Sequence, residues 1–156
     1  MLQLFLFISL VMPVDSVIVD FNEESNLKYW PIVYDVVMGG RSGSTIAMNE
    51  EGHAVFSGNV SLNNNGGFSS VRHHLQKHDI RSFRTISVRV RGDGNRYQFR
   101  VKSNRADRFS HVYNFNTSKI WQWIEVPLVK MYPIWRGRRL DKPNYPAQTL
   151  EEIRLR

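Results

Sequence analysis

Asp35, Arg41 and Ser42 stand at the ends of the run D-V-V-M-G-G-R-S, with Met38, Gly39 and Gly40 between them. A guanidinium beside backbone N–H groups freed by glycines can hold an anion or sugar hydroxyls. The same residues also serve turns: Asp35 and Ser42 bond turn backbone, and Met38 fills the core. The run is not a P-loop, because no Gly-Lys-Ser/Thr ends it and no helical pattern follows. A second polar run, Asn63-Asn64-Asn65-Gly66-Gly67, leads into Phe68 and a strand reaching Arg72. Asparagine donates and accepts together, which suits sugar hydroxyls and turn stabilisation alike. The residues singled out for polar contacts to a ligand are Asp35, Arg41, Asn64, Arg72, Tyr97 and Arg100.

Catalysis finds little support. Asp35, Asp93, Asp107 and Asp141 are scattered through turns, and nothing pairs them as the acid and base of a hydrolase. No G-x-S-x-G elbow occurs, so nucleophilic serine chemistry lacks its usual frame. His73, His74 and His78 with Asp79 suggest a metal cluster, but they read as surface histidines on a loop between strands. We expect no catalytic residues, no metal and no cofactor. Tyr29-Trp30, Trp121-Gln122-Trp123 and Tyr132-Pro133-Ile134-Trp135 place large rings near turns. Trp121 and Trp123 share a face opposite Ile124 and Val126, where a ring can fill the sandwich or anchor a sugar or partner protein.

The elements that must position these groups are strands. Val17, Val19 and Phe21 alternate with Ile18 and Asp20. Ala54, Phe56, Gly58, Val60 and Leu62 share a face, as do Ile86, Val88 and Val90, then Tyr97, Phe99 and Val101, then Ile124, Val126 and Leu128. Gly92-Asp93-Gly94-Asn95 lies between two of these runs and reads as a hairpin turn. Pro127 marks an edge or a strand end. Only Leu75–Ile80 and Thr149–Ile153 offer brief helical windows. Many short strands joined by Gly/Asn turns indicate an all-β, single-domain sandwich or jelly roll.

The chain has 156 residues, 42% of them hydrophobic and 22% charged, enough for one domain with a real core. Without cysteine there is no disulfide and no thiolate metal site, so packing alone supplies stability. The formal net charge is +7, and the segment from Arg72 to Arg108 carries eleven Lys or Arg against three Asp. Such a stripe attracts phosphate, anionic lipid or an acidic partner, or forms a solvated strand face. No nucleic-acid module accompanies it, so no nucleic-acid partner is expected. Residues 1–16 read as a signal peptide: Leu2 to Met12 is apolar, shorter than a membrane span, and followed by Val14-Asp15-Ser16, although no Lys or Arg precedes it. Residues 17–156 are then the mature domain, secreted or periplasmic. Without a functional signal it would be cytoplasmic. A mitochondrial transit peptide fits less well, because the segment is neither amphipathic nor Arg-rich. No transmembrane segment is expected.

The ordered landmarks Trp30, Asp35 to Ser42, Phe56 with Gly58, Gly66-Gly67-Phe68 with Arg72, Arg91-Gly92-Asp93-Gly94 with Tyr97, Pro127 and Arg136-Gly137-Arg138 resemble the complex I intermediate-associated protein 30 family. The family motif residues matched here are Met38, Gly39, Gly40, Ser42, Gly66, Gly67, Phe68, Gly92, Asp93 and Gly94. The resemblance implies a galactose-binding-like β-sandwich without an active site. It also implies chaperone-like work in assembling NADH:ubiquinone oxidoreductase, with respiratory-complex subunits as partners. The fold further resembles carbohydrate-binding modules, which makes glycans the alternative ligand. Against the family pattern, the leader looks secretory, and Glu151-Glu152-Ile153-Arg154-Leu155-Arg156 stops where further strands are expected, as in a truncated or frameshifted gene.

Overall fold

The computed structural model describes residues 16–22, 24–34, 43–60 and 67–156. Apolar and polar side chains alternate through most of these segments, so each extended run buries one edge of its pleat and wets the other. Eleven strands result: β1 (Ile32–Tyr34), β2 (Gly43–Met48), β3 (Ala54–Asn59), β4 (Ser69–Asp79), β5 (Thr85–Val90), β6 (Arg96–Lys102), β7 (Ser110–Asn116), β8 (Gln122–Pro127), β9 (Tyr132–Trp135), β10 (Arg138–Arg139) and β11 (Thr149–Leu155). The helical content among the described residues is two 3-10 turns, Leu27–Tyr29 and Leu128–Lys130.

One layer is a seven-stranded sheet in the order β1-β4-β11-β6-β7-β9-β10, antiparallel throughout. Two separate two-stranded ribbons, β2–β3 and β5–β8, accompany it. The core gathers Leu75, Phe99, Val101, Phe115, Leu150 and Ile153 from the large sheet, Val126 from β8, and Leu128, Met131 and Tyr145 from the segments between strands. Ile86, Val88, Val90 and Ile124 of the β5–β8 ribbon pack against that cluster. The Tyr145 hydroxyl donates to the Thr149 carbonyl at 2.6 Å, so a ring 2% exposed keeps its polar tip satisfied. The all-β sandwich expected from the sequence is the observed architecture.

Local expectations fared differently. Residues 17 to 21 do not enter a ladder; Ile18 and Val19 press onto the core, and Phe21 leans on Trp30 at 5.0 Å. Both brief helical windows are strands, Leu75 within β4 and Thr149–Ile153 within β11. So short a helix cannot repay its nucleation cost, whereas neighbouring strands offer each window a full ladder. Thr149–Leu155 runs between β4 and β6, bonded on both sides, with a register shift between Leu150 and Glu152. Pro127 does end its strand.

The Gly92–Asn95 turn is not a hairpin. β5 pairs with β8, and β6 pairs with β7 and β11, so this turn carries the chain from ribbon to sheet. Its chemistry is that of a tight turn all the same. Asp93 Oδ1 accepts from the Asn95 backbone N–H at 2.9 Å, Asp93 Oδ2 accepts from the Asn95 side-chain amide, and Gly94 has φ +95°. Turn residues specify a reversal of direction, and burial then decides which strands meet.

Candidate functional site: the outer face of the large sheet

Strand alternation sends Phe99 and Val101 of β6 into the core and Gln98, Arg100 and Lys102 to the opposite face. Register then aligns distant residues. Arg154 lies opposite Arg72 on one side and opposite Arg100 on the other, so three arginines occupy one rung across β4, β11 and β6. Neighbouring strands lie about 4.8 Å apart, so the row spans roughly 10 Å. Beyond Arg100 the same rung continues through Val112 to Tyr132. On the next rung Glu152 sits between His74 and Lys102. On the other side Arg156 and Gln98 exchange backbone hydrogen bonds at 3.0 and 2.7 Å, and Gln98 faces Asn114.

Like charges directly opposite one another destabilise a sheet. Here Arg72, Arg100, Lys102, Arg154 and Arg156 share these rungs with a single carboxylate, Glu152, among the described residues. Glu152 is 2% exposed; its Oε2 meets His74 Nε2 at 3.0 Å and its Oε1 accepts from Arg154 Nη2 at 2.8 Å. The Nε atoms of Arg72 and Arg154 are buried and without hydrogen-bond partners. Arg100 is 7% exposed. Burial holds its guanidinium down at about 10, with the charges of Arg156 and Arg154 adding to the effect. Arg156 is lowered by burial and by Arg154, and Lys102 by burial, which Glu152 partly opposes.

Amides and rings line the side of this row. Arg100 Nε donates to Gln98 Oε1 at 3.1 Å, Gln98 Nε2 to Asn114 Oδ1 at 3.0 Å, and Asn114 Nδ2 to the Tyr132 hydroxyl at 2.8 Å. Arg139 lies over the Tyr132 ring at 4.7 Å and Arg156 over Phe68 at 4.6 Å. The face thus joins concentrated positive charge to a chain of neutral donors and acceptors, a setting for an anionic, hydroxyl-bearing or acidic ligand.

Of the six candidate contacts, Arg72 and Arg100 come together here. Tyr97 does not join them: it faces the core side, beside Phe115 at 6.2 Å, and its hydroxyl interacts with Asp93. Asp35, Arg41 and Asn64 lie outside the described residues, as do Met38, Gly39, Gly40, Ser42 and Gly66. Gly67 is described, with φ +120°, and Phe68 follows it under Arg156. Arg154, Arg156, Asn114 and Tyr132 are not among the contacts expected from the sequence, although Tyr132 stands out there as one of the large rings near turns. The alternation of Arg154 and Arg156 with Ile153 and Leu155 was the arginines' only local signal.

The histidines belong to β4, not to a loop. His73 stacks on Trp30 at 4.5 Å, His74 bonds Glu152, and the Asp79 carboxylate is taken by Arg81, whose hydrogen bonds draw it down to about 2. Of the tryptophans, Trp123 is 64% exposed and Trp135 40%. Trp121 is half-buried beneath Arg89, at 4.9 Å, and beside His53.

The fold is a galactose-binding-like, jelly-roll sandwich. Among solved structures it is similar to the family 11 carbohydrate-binding module of a cellulosomal cellulase of Clostridium thermocellum, with a TM-score of 0.57 and 16% identity over 86% of this chain and 81% of that one. The same module in complex with a beta-1,3-1,4-mixed-linked tetrasaccharide superposes with a TM-score of 0.56. The chain belongs to the complex I intermediate-associated protein 30 family, whose model matches residues 19–156. Relatives titled "Probable complex I intermediate-associated protein 30, mitochondrial" from Caenorhabditis elegans and Caenorhabditis briggsae are each 26% identical over 144 residues. The match takes in 78% of this chain and 42% of each relative, so the chain spans less than half their length. Both titles name the compartment that the leader made the less expected one.

Proposed function

We propose that this domain is a non-enzymatic binding module, acting on protein partners as a chaperone-like or scaffold factor in the assembly of NADH:ubiquinone oxidoreductase. The observation that carries this reading is the family match over residues 19–156. The outer sheet face is consistent with it. Its charged groups are held by neighbouring side chains or stand among like charges, an arrangement suited to binding and not to proton transfer. Capture of respiratory-complex subunits by the tagged full chain is the expected result. Failure to retain any such subunit, with specific retention of glycans on an array, would replace it with the second reading.

That second reading is a carbohydrate-binding module, favoured by the Gln98–Asn114–Tyr132 run of donors and acceptors on a sheet face. With this second reading goes the proposal that residues 1–16 are a cleaved secretory signal; fused to a reporter, they should direct export, and delivery of the reporter to mitochondria instead would refute that and favour the assembly reading.

A further inference from the structure

We propose that the rung Arg72–Arg154–Arg100, with Arg156 beside it, binds the phosphate group of a phosphorylated polyol, whose hydroxyls meet Gln98, Asn114 and Tyr132. This goes beyond the assembly reading and does not depend on it. Three guanidinium groups at facing positions of adjacent strands repel one another unless an anion lies among them. Glu152 answers this only in part: its oxygens pair with Arg154 Nη2 and meet His74, which leaves Arg72 and Arg100 without an anion among the described residues.

Donors remain in excess. Arg72 makes no ion pair among the described residues, and its buried Nε has no partner. Arg154 Nε is in the same condition. Arg100 donates only to the neutral Gln98 oxygen. Five cations against one carboxylate leave a large positive surplus, of which a phosphate dianion offsets twice as much as a carboxylate would, while bringing three strong acceptor oxygens. The guanidinium groups are sunk, Arg100 at 7% exposure and the Arg154 side chain at 18%, so a compact tetrahedral group fits better than the spread charge of a surface loop. Next to the phosphate, the Gln98–Asn114–Tyr132 chain offers partners to vicinal hydroxyls.

The ligand is either a free sugar phosphate or the polyol headgroup of an anionic phospholipid, and two assay arms separate them. In solution, titration with glucose 6-phosphate and with glucose at matched ionic strength should show saturable binding of the phosphorylated sugar alone. In flotation, vesicles of phosphatidylcholine with phosphatidylinositol 4-phosphate, whose headgroup carries a phosphomonoester on a polyol, should retain the protein, and phosphatidylcholine alone should not, if a headgroup is the source. Binding in either arm supports the site. Arg72→Gln removes a cation that holds no ion pair and should weaken that binding by about tenfold or more. Arg100→Gln should act likewise, and Arg136→Gln, on exposed Trp135, should bind as the unaltered chain does. Because the row is unfavourable without its anion, Arg72→Gln should melt no lower than the parent. A clearly lowered melting point would mark the row as structural and overturn the proposal. So would failure of both arms with well-folded protein, or saturable binding of a glutamate-rich peptide in their place.

Discussion

Gly92 belongs to the family motif, yet its backbone does not require glycine; what requires it is Thr117. A Cβ built on Gly92 would lie 2.2 Å from both Thr117 Cβ and Oγ1 and 2.7 Å from its Cγ2. Thr117 cannot simply swing away without cost. Its hydroxyl donates to the Asn95 carbonyl at 2.8 Å and accepts from the Gly94 N–H at 3.2 Å, tying the turn between ribbon and sheet to the end of β7. Gly92→Ala therefore combines overpacking, about 1–3 kcal/mol, with loss of one or both hydrogen bonds at about 0.5–1.5 kcal/mol each. Because the site is near the surface and can relax, we expect the sum near the lower end, about 2–3 kcal/mol. For a domain of this size that corresponds to a fall in melting temperature of roughly 5–10 °C. The assay is a double-mutant cycle by urea denaturation. Thr117→Gly removes all three clashing atoms, so Gly92→Ala should cost under about 0.5 kcal/mol in that background, giving a coupling of about 2 kcal/mol. Additive losses would place the demand for glycine in the backbone and not in the contact with Thr117. Gly94 offers the contrast: its φ is +95° and nothing lies within 4 Å of a Cβ placed there, so the cost of Gly94→Ala arises from backbone strain and not from a clash.

Stability should also respond to pH through His111, which is 6% exposed and whose pKa burial pushes below the usual value. Protonation then favours the unfolded chain, so the contribution is complete above about pH 6.5 and declines as pH falls through that value towards the depressed folded one. Urea midpoints measured between about pH 5 and 8 should show this decline, and His111→Phe should flatten it. Glu152→Gln leaves Arg154 and His74 without their carboxylate in a site 2% exposed, and should cost about 2–3 kcal/mol by chemical denaturation. A loss within experimental error would mean that the outer face tolerates its cations without Glu152. Leu150→Ala, at a fully buried position, should cost about 2–5 kcal/mol, whereas Val129→Ala at 69% exposure should stay within about 0.5 kcal/mol.

The period-two alternation of Ile86–Val90, Tyr97–Val101 and Ile124–Val126, the turn chemistry of Asp93 and Gly94, and the stop at Pro127 are all legible in the chain, because each is written within a few residues. The family could be read for the same reason, from short motifs in order along the chain. Pairing could not. Gly92–Asn95 looks like a hairpin because its neighbours alternate, but β5 gains more by lying against β8 and covering the core than by returning along β6. The candidate site follows the same logic. Arg72 and Arg100 stood out as polar residues on strands, while Arg154 looked like the tail of an unfinished pattern. Only the insertion of β11 between β4 and β6 sets the three in one rung, whereas the alternation along β6 already puts Tyr97 on the face opposite Arg100. Alternation tells which side of a strand a residue occupies, and register, decided by burial between distant segments, tells what stands beside it.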